Sequence, residues 1–175
     1  MREAIKDYFS GKEWQDFIRN ISTLLNISFC NFVISYNEKI HSFSNENTLC
    51  LKLREKEKGL KFCQEVYEKN LKEIEGEKKA RLFLCYASLG RVLIPIPFDS
   101  DKVVFIMCGI RYKRNPKADW EKLNEIIGKE EFLKLYKSLP FITLKKLKLN
   151  MDSIDFLLKK IIDLLVLKEK LKDMI

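Results

Sequence analysis

A chain of 175 residues, 46% of them hydrophobic with 12 phenylalanines, has enough apolar surface for one buried core, which excludes an intrinsically disordered protein. No apolar run approaches the ~18–20 residues of a membrane-spanning helix, and five cysteines without regular spacing are not the pattern of a secreted disulfide scaffold. We therefore expect a cytoplasmic protein whose thiols are reduced. The net charge is +8, but lysines and glutamates alternate along the predicted helices, which is typical of solvated surfaces. Direct nucleic-acid binding is not expected, because the densest basic patch, from Arg111 to Lys117, offers only Tyr112 for base stacking.

The N-terminal half predicts one helix, two strands and two further helices. Apolar residues recur at helical spacing in the first segment, whereas β-branched and aromatic residues dominate the next. Asn47 or Thr48 is placed to cap the second helix, and Gly59 is expected to break it before the third begins. The predicted bounds are 12–26 for the first helix, 28–36 and 40–43 for the strands, 47–56 for the second helix and 60–76 for the third.

Three strands are predicted next, at 80–86, 91–97 and 102–110, joined by turns of a few residues. Connections this short force antiparallel pairing, because a parallel neighbour needs a crossover of about a dozen residues or more. Pro95 and Pro97 cannot donate to a sheet ladder, so the middle strand is expected to bulge or to lie at an edge there. With the two earlier strands, the pattern favours an α+β fold, a five-stranded antiparallel sheet with helices packed over one face. This order of elements is that of a PAS-like domain.

The last third of the chain predicts helices only. One or two helices fill 119–138 with a break near Gly128, and a long helix starts at Thr143. The apolar residues of this long helix alternate steps of four and three, which is the spacing of a heptad seam that pairs with a second copy. The alternative is that the whole helix packs on its own domain. The seam comprises Leu147, Met151, Ile154, Leu158, Ile161 and Leu165, and a second stripe beside it comprises Leu157, Leu164 and Leu171.

The cysteines in the middle of the chain indicate a pocket or a metal site. Cys50, Cys63 and Cys85 fall on different predicted elements that can converge on one interior. Cys108 would complete a four-thiolate set for zinc or an iron–sulfur cluster, but no two of these cysteines share a chelating turn, and the one histidine, His41, is distant in sequence. The alternative is that the thiols are buried apolar groups that line a pocket, since free cysteine is among the most buried residue types.

Catalysis is not expected from this sequence. A nucleophilic cysteine needs a positioned base, usually histidine, and the chain has a single histidine. A glycine-rich phosphate loop and the H-E-x-x-H and G-x-S-x-G motifs are also missing from it. The sequence therefore predicts no catalytic residue.

Several short motifs follow one another in a characteristic order. They are C-L-K-L-R from Cys50 to Arg54, Gly59, Cys63, Cys85-Tyr86-Ala87, Gly90, Pro95-Ile96, Gly109, and the segment 128–140 ahead of a long helix. In this order and spacing they resemble the PocR ligand-binding domain family over nearly the whole chain.

The resemblance implies a small-molecule sensor with a PAS-like core, fused to transcription-factor, kinase or chemoreceptor outputs, with ligands such as propanediol and other small hydrocarbon derivatives. The family usually has histidine after the third cysteine and glutamine after the strand-ending glycine, where this chain has Tyr86 and Ile110. Both departures remove polar groups, so a pocket that they line is more apolar and a diol suits it less well. The ligand-binding positions that the resemblance implies are Cys50, Arg54, Cys63, Cys85 and Gly109, together with Tyr86 and Ile110 at the two departures.

Residue and family arguments together predict a PAS-like sensory domain over 1–142 and a C-terminal signalling and dimerisation helix over 143–175. The domain is expected to detect a small, largely apolar molecule in the cytoplasm and to relay the signal through this helix to an output module or partner, as in transcription regulation. The expected partners are the ligand, a second copy and the output, with no membrane. The cofactor is left open between none, zinc and an iron–sulfur cluster. In the alternative prediction, Cys50, Cys63, Cys85 and Cys108 hold a metal or a cluster, and the domain senses redox state.

Overall fold

The computed structural model describes residues 7–8, 11–25, 28–34, 38–40, 47–98, 101–172 and 174, with the backbone alone for 28–34, 38–40, 97–98, 101–103 and 172. The predicted class, a mixed helix and sheet fold with a long C-terminal helix, is confirmed. The helices are α1 (Lys12–Leu25), α2 (Thr48–Arg54), α3 (Glu57–Glu73), α4 (Trp120–Asn124), α5 (Lys129–Ser138) and α6 (Leu144–Lys172). The strands are β1 (Ser28–Ile34), β2 (Glu38–Ile40), β3 (Arg81–Leu84), β4 (Gly90–Phe98) and β5 (Asp101–Ile110).

The strands pair antiparallel in the order β2-β1-β5-β4-β3. β3, β4 and β5 are consecutive in the chain and form the antiparallel meander that the short turns predicted. β3 pairs only with Gly90–Leu93 of β4, so Pro95 and Pro97 lie where β4 has β5 on one side and no described strand on the other. The expectation that these prolines lie at an edge is therefore confirmed. A residue without an N–H group is tolerated at an edge, since no ladder hydrogen bond is lost there.

Helices cover both faces of the sheet. Side chains alternate along β4, so Val92 and Ile94 lie in a core with α1 and α6, whereas Leu93 lies in a core with Tyr67 and Leu71 of α3. The prediction that helices pack over one face is therefore wrong, because a strand that is apolar at successive positions needs cover on both sides. The α6 face of the sheet carries Val92, Ile94, Ile96, Phe105, Met107 and Ile110, and the α3 face carries Leu93, Val104 and Ile106.

The buried side of α6 is its heptad seam, and it packs on this chain's own sheet. Leu147, Ile154 and Leu158 are buried in one core with Val92 and Ile94. Four of the six seam residues are thus buried within the domain, as the alternative prediction held, and Ile161 and Leu165 are partly buried against the same core. The second stripe faces outward, since all three of its leucines, Leu157, Leu164 and Leu171, are exposed. In the described ranges, every helix falls short of the length or the apolarity of a membrane span.

The break between α2 and α3 comes before the glycine that was expected to cause it. α2 ends at Arg54, and Gly59 lies inside the first turn of α3. A side chain on Gly59 would collide with the backbone carbonyl of Leu53, so the glycine permits close contact between the two helices. Gly128, by contrast, directly precedes α5 as its N-cap, so the predicted break near Gly128 is confirmed.

Candidate functional site

The three cysteines predicted to converge do lie together. Cys50 lies on α2, Cys63 on α3, and Cys85 in the turn that follows β3, and all three pack against one buried cluster that includes Tyr86. Each is half-buried and carries a free thiol. We call Cys50, Cys63, Cys85 and Tyr86 the thiol cluster.

Asn47 and Gly109 fix the thiol cluster to the end of β5. The Asn47 side chain accepts a hydrogen bond from the Cys50 amide at 2.7 Å, which caps α2, and donates one to the Gly109 carbonyl at 2.9 Å. Gly109 has φ +71°, and a Cβ at this residue would lie 3.4 Å from the Cys50 Sγ and would collide with the Asn47 amide. A glycine is therefore required here both by the backbone conformation and by the close approach of α2.

The Tyr86 hydroxyl is hydrogen-bonded within the protein. The Tyr86 hydroxyl donates to the Gly59 carbonyl at 3.3 Å and lies 3.6 Å from the Cys63 Sγ, while the ring packs edge-on against Phe62 at 5.7 Å between centroids. Burial raises the pKa of Tyr86 well above its usual range, with further contributions from the neighbouring thiols. The phenol thus stays neutral, and it ties the turn after β3 to the start of α3.

The thiols of Cys50 and Cys85 are neutral at neutral pH. Burial raises the pKa of the Cys50 thiol to about 12, and the Cys85 and Cys63 thiols nearby raise it further. Burial likewise raises the pKa of Cys85. The thiolate is the form that attacks electrophiles and ligates metals, so the surroundings of Cys50 and Cys85 disfavour both kinds of chemistry. Buried, protonated thiols such as these favour contact with an apolar group.

The proposed metal ligands do not form a metal site in the described part of the chain. No three His, Cys, Asp or Glu side chains there are arranged to hold a metal ion. Cys108 is in a disulfide bond, so the prediction that it supplies a fourth thiolate is wrong, and so is the expectation that it is reduced. His41 lies outside the described residues.

The remaining predicted ligand positions divide between the two faces of the sheet. Arg54 lies beside the thiol cluster: its Nε donates to the Cys50 carbonyl at 3.3 Å, and its charge counteracts the rise in the Cys50 pKa. Ile110 is buried on the α6 face, so the structure does not bring it to the thiols. Successive residues at a strand end point to opposite faces, and Gly109 already faces α2.

Two residues of this region were not predicted as site residues. Asn47 was expected only as a helix cap, yet it also holds the end of β5. Arg91, at the start of β4, is buried on the same side of the sheet as Tyr67, whose ring lies 5.7 Å from the guanidinium carbon. The signal that could have found Arg91 is an arginine directly before the apolar run V-L-I-P-I.

The comparisons with known proteins give one match. Residues 7–166 match the sensory domain found in PocR. None of the curated proteins and none of the solved structures compared with the chain matches it. Since the matched region covers nearly the whole sequence and contains every residue of the thiol cluster, the chain belongs to the family of PocR sensory domains.

Proposed function

We propose that this sensory domain detects a small, largely apolar molecule on the side of the sheet that α2 and α3 cover. The observation that carries the proposal is the convergence of the thiol cluster and Gly109 from α2, α3, the turn after β3 and the end of β5. Ligand sites in proteins are mostly apolar, with a few polar groups that fix orientation, and they form where several elements meet. The strand order, with the last three strands as a meander, supports the PAS-like core that the family resemblance implies.

The polar groups of Tyr86 and of Asn47 beside the thiol cluster favour a ligand with little hydrogen-bonding capacity there. The Tyr86 hydroxyl donates to Gly59, and the Asn47 amide bonds Gly109 and Cys50. A ligand that relied on these groups would have to break bonds inside the protein. The sulfur atoms of the thiol cluster remain as polarizable contacts for hydrocarbon groups.

The end of β5 offers a route from this site to α6. Gly109 touches α2, whereas the next residue, Ile110, is buried in the core with α6. The carbonyl of Arg111 then accepts a hydrogen bond from the Ile142 amide at 3.0 Å, two residues before α6 begins. A ligand that displaces α2 would therefore move β5 and bias the position of α6.

We further propose that α6 passes the signal to a second copy and to an output module through its exposed stripe. Leu157, Leu164 and Leu171 are spaced by seven residues, so two copies can align their stripes along the whole length. The function proposed is binding and relay, without catalysis. The cytoplasmic location stays a prediction.

Native mass spectrometry of the protein purified from cells tests the function. We expect a species heavier than the bare chain by the mass of a small organic molecule, which is lost on gentle activation. Where the as-purified chain is bare, the same protein should gain thermal stability from at least one member of a panel of small alcohols, acids and aromatics, because a ligand that binds only the folded state raises its stability. A bare mass with no thermal shift across the panel would contradict the proposal.

The same spectrum tests the alternative of a metal or iron–sulfur redox sensor. Cys50, Cys63 and Cys85 are the thiols left for such a site, because Cys108 is in a disulfide bond. An added mass of zinc or of an iron–sulfur cluster, retained under anaerobic handling and lost with a chelator, would favour this alternative over an organic ligand.

A further inference from the structure

Arg91 is a buried charge on the α3 side of the sheet. It is 7% exposed, and no other charged residue among those described is buried. It lies where the pairing of β4 with β5 shifts register, between Gly90 and Val92. Such a bulge redirects the side chain of the extra residue, and bulges are common beside functional sites.

The Arg91 side chain has a buried donor without an acceptor among the described residues. This donor is Nε, which is fully buried. The centroid of the Tyr67 ring lies 5.7 Å from the Arg91 guanidinium carbon. Other arginines of the sheet region make hydrogen bonds to oxygen. Arg81 pairs with Glu77 at 3.1 Å, and Arg111, whose Nε also has no acceptor, donates through Nη1 to two backbone carbonyls at 2.8 and 3.0 Å. A buried charge without a counter-charge or hydrogen bonds is costly, so an oxygen ligand at Arg91 would remove a penalty.

Arg91 lies near Cys85 of the thiol cluster. It pairs across the sheet with Phe83, and Cys85 follows Phe83 by two residues beside the turn into β4, so Arg91 and Cys85 are diagonal neighbours on one side of the hairpin. Burial raises the pKa of Cys85, and the Arg91 charge counteracts that rise. Arg91 also faces Tyr67 on α3, the helix that supplies Cys63. Asn70, three residues further along α3, is 4% exposed, and its side-chain oxygen has no donor.

We propose that Arg91 binds the carboxylate of the ligand, so that the molecule sensed is a small organic acid whose apolar part lies toward the thiol cluster. This inference rests on the proposed function and specifies the chemical class of the ligand. A planar guanidinium matches a carboxylate with two parallel hydrogen bonds, and a carboxylate brings the single negative charge that one arginine balances. The free Asn70 oxygen accepts a hydrogen bond from a hydroxyl or N–H group where the acid carries one.

Matched acids and alcohols provide the probes. Propionate, butyrate, hexanoate and benzoate are compared with n-propanol, n-butanol, n-hexanol and benzyl alcohol at equal ionic strength, by thermal shift and then by calorimetric titration. The proteins are the wild type, Arg91→Met and the control Arg81→Met, which removes an exposed arginine paired with Glu77. We expect at least one acid to stabilise the wild type and Arg81→Met more than its alcohol does. Affinity for that acid should be roughly 10- to 100-fold weaker in Arg91→Met, since charge-assisted buried hydrogen bonds are lost.

The ligand-free proteins give an independent readout. Arg91→Met should melt at the same temperature as the wild type or higher, because methionine replaces an unpaired buried charge with an apolar side chain. A clearly lower melting temperature would mean that Arg91 is satisfied within the protein, and it would overturn the inference. So would equal acid affinity in Arg91→Met, or a wild type that no acid stabilises. Binding of the alcohols alone would overturn the role of Arg91 but leave the sensory site intact.

Discussion

At the scale of single residues, Gly109 shows most clearly why the site has its shape. Its positive φ lets β5 end beside α2, and the missing side chain leaves room for Asn47 and the Cys50 thiol. The family resemblance implied this glycine as a binding position. The structure gives the physical reason for a glycine, which is close packing of a helix N-terminus against a strand end.

Replacing Gly109 with alanine should destabilise the protein. The positive φ and the collision with Asn47 together should lower the free energy of unfolding by about 1–3 kcal/mol. Urea denaturation at neutral pH measures this change. The control is Gly76→Ala, where nothing lies within 4 Å of the added methyl group and φ is not positive, so its stability should stay within about 1 kcal/mol of the wild type. Equal effects of the two substitutions would contradict the account of Gly109.

The sequence predicts some site residues and not others for physical reasons. Cysteine is apolar enough to be buried, so convergence of Cys50, Cys63 and Cys85 on one interior was a sound expectation. Ile110 was wrongly joined to them, because strand alternation sends it to the α6 face. Arg91 was missed, since arginines are usually exposed, and its position directly before the apolar run V-L-I-P-I was not read as a sign of burial.

At the scale of elements, hydrophobic periodicity predicted most helices and strands, and it failed where two surfaces compete for one helix. The heptad seam of α6 was a candidate for pairing with a second copy, but the same residues pack on β4. Spacing alone cannot distinguish these partners, because a helix packed on a sheet and a helix in a coiled coil both bury one stripe. The Gly59 break was misplaced for a related reason, since a glycine needed for close contact resembles a helix breaker in sequence.

The exposed stripe of α6 gives a prediction on assembly. Leu164 is 65% exposed, and a glutamate there would place charges at the proposed contact between two copies. We expect sedimentation analysis to show a dimer for the wild type and a monomer for Leu164→Glu. Leu24→Glu on α1, where the leucine is 78% exposed, is the control and should remain dimeric. A monomeric wild type, or a dimeric Leu164→Glu, would exclude this stripe as the contact.

At the scale of the whole molecule, the sheet separates two kinds of contact and joins them at one end. The α3 side holds the thiol cluster and Arg91, and the α6 side holds the long helix. β5 is the element shared by both, because Gly109 contacts α2 while Ile110 packs in the core with α6. This arrangement could not be predicted from the sequence, which indicated helices over one face only.

A crystal structure of the protein as purified from cells tests the central claim most directly. The account predicts electron density for a small molecule on the α3 side of the sheet, in contact with the thiol cluster. The carboxylate of that molecule should lie within hydrogen-bonding distance of Arg91. A structure in which this chain's own side chains fill that region, with the bound molecule located elsewhere, would contradict the account.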